Sequence, residues 1–342
     1  MKKPLIAILK VIVPLALGVW LVIYFYRQLD EQQRTELFAA FGQANWWWVL
    51  FSMVLGWFSH LSRAWRWRYL LKHMGYNVGI WNAYNATMTG YFMNMLLPRA
   101  GEASRAVMLY RAEGVPFERG FGTILAERTV DLVLLIGLTA VTAAMQWDRL
   151  GEFRQRIADF RSQQATSGEE ASSGGWGWWV LVVALVIGVA AAYMVLSRPE
   201  RRARFKDGVR GFVAGLKSVF QTKDKAGFFL FSFIIWTLYV TMFWVGFFAL
   251  PTTADVPFPG VLAGFIAGSI GIILVQGGIG AYPAFVALIV SMYMTAPENG
   301  GLIRPDALAM GWLLWVAQTA LVIVLGGLSL LLISRKRNPL PA

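Results

Sequence analysis

An all-α polytopic membrane protein is the fold class this sequence predicts, and three observations carry it. Of 342 residues, 57% are hydrophobic and only 15% are charged. Apolar runs of roughly 18 residues or more recur, each long enough to cross a ~30 Å hydrocarbon core. Segments of about ten residues alternating apolar and polar, which a membrane barrel needs, do not occur in the chain.

Six stretches read as crossings: 5–26, 46–63, 124–147, 177–197, 228–250 and 308–333. The first follows Lys2 and Lys3 and imitates a signal peptide. Its apolar part is too long for a typical h-region and no small-x-small cleavage site follows, so it is expected to remain as a helix. Trp46, Trp47 and Trp48 open the second crossing, and Trp176, Trp178 and Trp179 open the fourth. Indoles favour the membrane interface because the ring is apolar while its N–H needs a wet partner.

Loop charges orient the chain. Residues 198–227 hold nine Lys/Arg against three acids, 63–72 adds Arg63, Arg66, Arg68 and Lys72, and the C-terminal region carries Arg335, Lys336 and Arg337. Residues 27–45 hold two bases and three acids; 148–176 hold four and five, with a Ser/Gly/Glu-rich tract, SGEEASSGG, expected to be mobile. The positive-inside rule then places both termini, 63–123 and 198–227 in the cytoplasm of a bacterial-type inner membrane. The net charge of +12 is read as basic loops near anionic lipid rather than as a nucleic-acid surface, since no nucleic-acid motif accompanies it.

Two apolar stretches do not fit as simple crossings. Residues 81–98 have basic flanks on both sides, and 260–296 are interrupted at Gln276-Gly-Gly-Ile-Gly280 and at Pro283. Each reads as a helical hairpin that dips into the membrane and returns, the first spanning 81–113. Irregular backbone is tolerated at that depth only where protein buries it or it lines a wet cavity. An offset of about 178 residues carries the first four elements onto the last four. Each half is then two crossings, a broken hairpin and one crossing, so the second half sits inverted relative to the first. The domains are a first repeat over 1–147, an external polar loop over 148–176 and a second repeat over 177–342.

The charges at the breaks are the candidate site. In LLPRAGEASRAVML, Arg99, Glu102 and Arg105 fall at i, i+3 and i+6, on one broad face of a helix starting near 99. A mid-bilayer arginine costs roughly 2.5–3.5 kcal/mol, which an ion pair with Glu102 or a bidentate grip on a phosphate offsets. A shallow hairpin with its charges among lipid headgroups is the alternative. In AERTVDL, Glu127 and Asp131 share a face and Arg128 can bridge to either, as a brace or as ligand contacts. Gln276, Gly277, Gly278, Gly280 and Tyr282 make a charge-free break where backbone can approach substrate, or merely another helix. His60 is expected to be an interhelical contact. Cysteine is absent and only two histidines occur, so no thiolate chemistry, metal site or other cofactor is expected.

These motifs, LLPRAGEASRAVML, AERTVDL about thirty residues later and VQGGIGAYPAF in the second half, resemble the membrane domain of the lysylphosphatidylglycerol synthase/flippase family, including its stand-alone members. The resemblance spans nearly the whole chain. It implies a lipid translocase whose functional core is Arg99, Gly101, Glu102 and Arg105 with Glu127, Arg128 and Asp131. It departs from the family at Tyr282, where an acid is expected. Larger members carry a soluble aminoacyl-transferase domain after the membrane part, whereas this chain ends about nine residues past its last crossing, so lysyl transfer from tRNA is not expected of it.

The leading expectation is a translocator of a polar or phosphate-bearing headgroup. Arg99 and Arg105 would hold the phosphate while Glu102 orients them. Its partners would be a phospholipid or glycolipid substrate and anionic lipids at the basic loops; a homodimer is allowed for, and nucleic acid is not expected. A membrane lipid-phosphate phosphatase and a non-transporting scaffold are the rival readings. The phosphatase is weakened because no nucleophile stands near a base in the sequence.

Overall fold

The structure is a computed structural model, and it describes residues 16–24, 26–27, 29–97, 100–166, 219–222, 224–295 and 302–335. The expected crossing at 177–197, the SGEEASSGG tract, most of the first crossing, and Pro98 with Arg99 lie outside those residues. Among the described residues there is no strand.

After the helical residues 16–24 the chain forms α1 (Glu31–Gln43), α2 (Trp46–His73), α3 (Ile80–Leu96), α4 (Gly101–Glu113), α5 (Phe117–Met145) and α6 (Leu150–Thr166). Then come α7 (Lys225–Phe247), a single turn α8 (Pro251–Ala254), α9 (Phe258–Leu274), α10 (Ala281–Ser291) and α11 (Pro305–Arg335). Of the described helices, Lys225–Phe247 and Pro305–Ile333 are long and apolar enough to cross a membrane by length and composition alone.

Local sequence accounts for the boundaries. Asp30 caps α1 reciprocally with Gln33, and the Asn45 side chain accepts from the Trp47 N–H at the start of α2. Gly114 ends α4 in the left-handed conformation, its N–H donating to the Tyr110 carbonyl. The expected crossing at 46–63 is the front of a longer helix that continues to His73. The arginines expected to end it are paired with a carboxylate of α5, so nothing forces the chain out at Arg63. Within the expected external loop 148–176, residues 150–166 form α6.

Helices α2 and α7 run antiparallel: the Asn45 N–H donates to the Ala249 carbonyl at one end, and Arg66 reaches Ser232 toward the other. The arms α3 and α4 pack on each other as a hairpin, and so do α9 and α10. The base of the first hairpin is tied by Glu113, which accepts from the Gly79 N–H and the Asn82 amide. The base of the second lies at the opposite end of the molecule, where Gln146 donates to the Pro259 carbonyl and Arg156 to those of Ser291 and Met294. The hairpins therefore enter from opposite ends. Helix α5 packs on α4 and also on α9; α11 packs on α10 and also on α3. The two largest hydrophobic cores among the described residues lie around Trp67, Leu71, Met88 and Leu109 and around Phe243, Phe247, Val286 and Val290.

Candidate functional site

Five ionised side chains meet where α2, α4 and α5 converge. From α5, Asp131 accepts from Arg63 Nη1 at 2.7 Å and from Arg66 Nη1 and Nη2 at 2.8 and 3.1 Å. One turn earlier, Glu127 accepts from Arg66 Nε at 3.2 Å and stands 2.8 Å from Arg105 Nη1 on α4. Arg66 also donates to Ser232, and Arg63 to the Tyr239 hydroxyl, so α7 joins the lattice. Arg66 and Glu127 are 0% exposed, Arg63 3%, Arg105 4% and Asp131 9%.

Sequence spacing explains why these groups can meet. Arg63 and Arg66 are three apart on one face of α2, while Glu127 and Asp131 are four apart on the facing side of α5. Arg66 grips Asp131 bidentately, whereas Glu127 takes one contact from each of two arginines, a hydrogen bond from Arg66 Nε and an ion pair with Arg105 Nη1. The Arg105 guanidinium lies 3.7 Å from the centre of the Trp67 ring, and the Trp67 indole N–H donates to Thr123 at 2.8 Å. Its plane is thereby fixed by stacking and by Glu127. Its Nε and Nη2 have no hydrogen-bond partner within the described protein. Removing one member of such a buried set strands its partners, at a cost of about 3–5 kcal/mol.

The structure corrects several expected pairings. Glu102 does not orient Arg105: it pairs with Arg128, 3.4 Å away, at a half-exposed rim. Arg105 goes to Glu127 instead, because the buried carboxylate needs a second cation. Arg128 accordingly bridges neither Glu127 nor Asp131. Arg63 and Arg66, counted in sequence as cytoplasmic loop charges, are the buried core of the lattice. Arg99 lies outside the described residues. His60 is buried against Tyr91, ring centres 4.9 Å apart, as the contact expected of it.

The two breaks touch. Gly101, whose N–H donates to the Asn94 side chain at 2.8 Å, packs so closely on Gly90 and Asn94 that a Cβ there would collide with both. In the second break, Gly277, Gly278 and Gly280 have φ of 64°, 70° and 71°, which only glycine adopts without strain. Gln276 reaches across and donates to the Asn94 carbonyl at 2.7 Å, joining the tips of the two hairpins. The Trp315 indole donates to the Gly277 carbonyl at 2.7 Å. Beside this junction lies a mainly apolar cavity of about 340 Å³, lined among others by Tyr91, Tyr239, Phe265, Gly277, Tyr282 and Trp315. Tyr91 also walls a recess of about 10 Å³ that contains Gly101, Glu102, Arg105 and Arg128. The structure thus brings Gly101, Glu102, Arg105, Glu127, Arg128 and Asp131 around one break and Gln276, Gly277 and Tyr282 onto the facing one. Gly278 packs against Ile272 and the Tyr282 Cβ, and Gly280 instead abuts Gly18.

The missed residues Arg63, Arg66 and Trp67 carry a sequence signal. Small and polar residues recur along α2 at Ser52, Gly56, Ser59, His60 and Arg63, all buried, tracing a stripe that no lipid-facing surface would show.

Comparison with known proteins identifies the family. The family described as "Lysylphosphatidylglycerol synthase TM region" matches residues 11–303. The UPF0104 membrane protein MJ1595 of Methanocaldococcus jannaschii is 31% identical over 77 residues, 22% of this chain and 23% of that protein. Glycosyltransferase AglD of Haloferax volcanii is 27% identical over 299 residues, 79% of this chain and 46% of that protein. The chain thus spans under half the length of either relative. No solved structure matches. The chain belongs to the lysylphosphatidylglycerol synthase transmembrane-region family, and it is a multi-pass helical membrane protein.

Proposed function

With that family as premise, we propose that the protein is a lipid translocase, moving a polar or phosphate-bearing headgroup between leaflets of a bacterial-type inner membrane. The observation that supports this most is the meeting of two oppositely mounted hairpins at the hydrogen bond from Gln276 to Asn94, beside a buried lattice with one cation in excess among the described residues. Helix breaks joined inside a bundle, with charge at one of them, are the arrangement of an alternating-access carrier.

In this reading the two hairpins are re-entrant and belong to inverted repeats. Helices α2 and α7, α3 and α9, α4 and α10, and α5 and α11 are counterparts, beginning at 46 and 225, 80 and 258, 101 and 281, and 117 and 305. The reciprocal packing of α5 on α9 and of α11 on α3 is what a two-fold relation asks for. Both termini are assigned to the cytoplasm, with the basic loops near anionic lipid. A headgroup enters beside Arg105 while its acyl chains remain in lipid or in the apolar cavity, and rocking of one half on the other changes the leaflet it faces. The family's name refers to a phospholipid synthase, which makes a lipid the natural cargo class.

Reconstitution in liposomes with headgroup-labelled lipids tests the proposal. Wild type is expected to accelerate the crossing of at least one anionic lipid, and Arg105→Ala to abolish that acceleration. If no lipid crosses faster than in empty vesicles, the translocase reading fails.

A further inference from the structure

The buried lattice holds three guanidinium groups, Arg63, Arg66 and Arg105, against two carboxylates, Glu127 and Asp131. Every carboxylate oxygen in it already faces an arginine, whether by hydrogen bond or by ion pair. The rim pair of Glu102 and Arg128 is neutral in sum. Among the described residues the site is therefore one positive charge in excess; Arg63 Nε is unpartnered as well, but of the three arginines Arg105 has both donors of one edge free. On Arg105, Nη1 faces Glu127, while Nε and Nη2, the two donors of the opposite edge, are unpartnered on a side chain only 4% exposed. That edge presents two N–H groups in the parallel fork that matches two oxygens of one phosphate or carboxylate.

We propose that this site selects a headgroup by charge, taking the singly charged phosphodiester of a membrane lipid on the free edge of Arg105, with Glu127 setting the charge it accepts. The inference rests on the proposed lipid site but not on transport. A phosphodiester brings one negative charge and leaves the lattice neutral. A phosphomonoester brings close to two at neutral pH and above, so one would remain uncompensated in a low-dielectric interior. The recess around Arg105 has space for about one water, so a phosphate enters only when Glu102 and Arg128 part. Their pairing is long and half-exposed, hence the weakest link of the cluster. Beyond Tyr91, which borders both spaces, the apolar cavity of about 340 Å³ receives part of the lipid's chain. The ligand is thus an amphiphile rather than a free anion.

The test is lipid retention by the purified full chain, read by native mass spectrometry at about pH 8, where a monoester is close to doubly charged. Phosphatidylglycerol, phosphatidic acid and phosphatidylcholine compete in equal amounts, with inorganic phosphate added in a separate arm. Wild type is expected to retain phosphatidylglycerol over phosphatidic acid at least several-fold. Glu127→Gln, which raises the site charge by one, shifts that ratio toward phosphatidic acid by roughly tenfold. Glu102→Gln shifts it the same way at the rim and keeps the question open to test if the buried variant does not fold. Equal or preferred retention of phosphatidic acid by wild type overturns the inference. So does displacement of phosphatidylglycerol by inorganic phosphate, which would make this a site for a soluble anion. Selective retention without liposome crossing leaves the inference standing while the translocase reading falls; crossing of both lipids alike does the reverse.

Discussion

Near the break between α3 and α4 stand Glu102 and Arg105, tied to Arg128 and Glu127 and through them to Arg66, Asp131 and Arg63. The break between α9 and α10 is closed without a single charge, by three left-handed glycines, the Gln276 amide and the Trp315 indole. The two hairpins share 17-residue first arms, opposed bases and a common meeting point, yet differ in chemistry. In the inverted-repeat reading proposed above, one charged copy suffices if the other supplies a surface against which a ligand is enclosed. The glycine break lets backbone approach backbone closely, as Gly280 does against the Gly18 carbonyl.

The largest expected effect breaks the charged side. Glu127→Ala leaves Arg66 and Arg105 buried without their shared carboxylate, and should lower unfolding stability in detergent by about 3–5 kcal/mol. A loss below about 1 kcal/mol, the range of an exposed pair, would mean that the lattice is not buried as described.

On the glycine side the effect is intermediate and graded. Gly277→Ala meets open space and suffers only the left-handed backbone, roughly 1–2 kcal/mol. Gly280→Ala meets in addition the Gly18 carbonyl of the first helical segment, so it should be the more damaging of the two. Equal thermal shifts for both variants would show that the first helix does not rest on this tip.

The smallest effect sits on the junction itself. Gln276→Ala removes one hydrogen bond between hairpins, a loss of about 1 kcal/mol in stability. Accelerated amide exchange should appear at both tips together, since the bond ties one to the other. Exchange quickening at the second tip alone would show that the hairpins are not coupled there.

Much of this comparison was legible in the sequence. Pro98 and the Gln276-Gly-Gly-Ile-Gly280 run interrupt apolar stretches in a way that neither a crossing nor a soluble core helix would, and the hairpin arms end within a few residues of both. Arg105, Glu127 and Asp131 stood out because charge in an apolar context is costly. Arg63 and Arg66 did not, because counting loop charges treats every arginine past an apolar run as an anchor. Their acidic partners lie 61 to 68 residues further along, a distance no local spacing rule covers. The pairing of Glu102 with Arg105, plausible at i and i+3, failed for the complementary reason. A local pair worth a few tenths of a kcal/mol yields to a buried one whose vacancy would cost several.

The length of α2 has a consequence for where the chemistry happens. With the indoles of Trp46–Trp48 at one headgroup layer, Arg66 stands about 30 Å further along the helix axis, a full hydrocarbon thickness away. In the membrane placement of the proposed function, the guanidinium lattice then lies toward the opposite leaflet's margin rather than at mid-depth. If the translocase proposal holds, cargo arriving from that leaflet descends only slightly to be captured, and nearly all of its passage comes afterwards, through the apolar space on the far side of Tyr91.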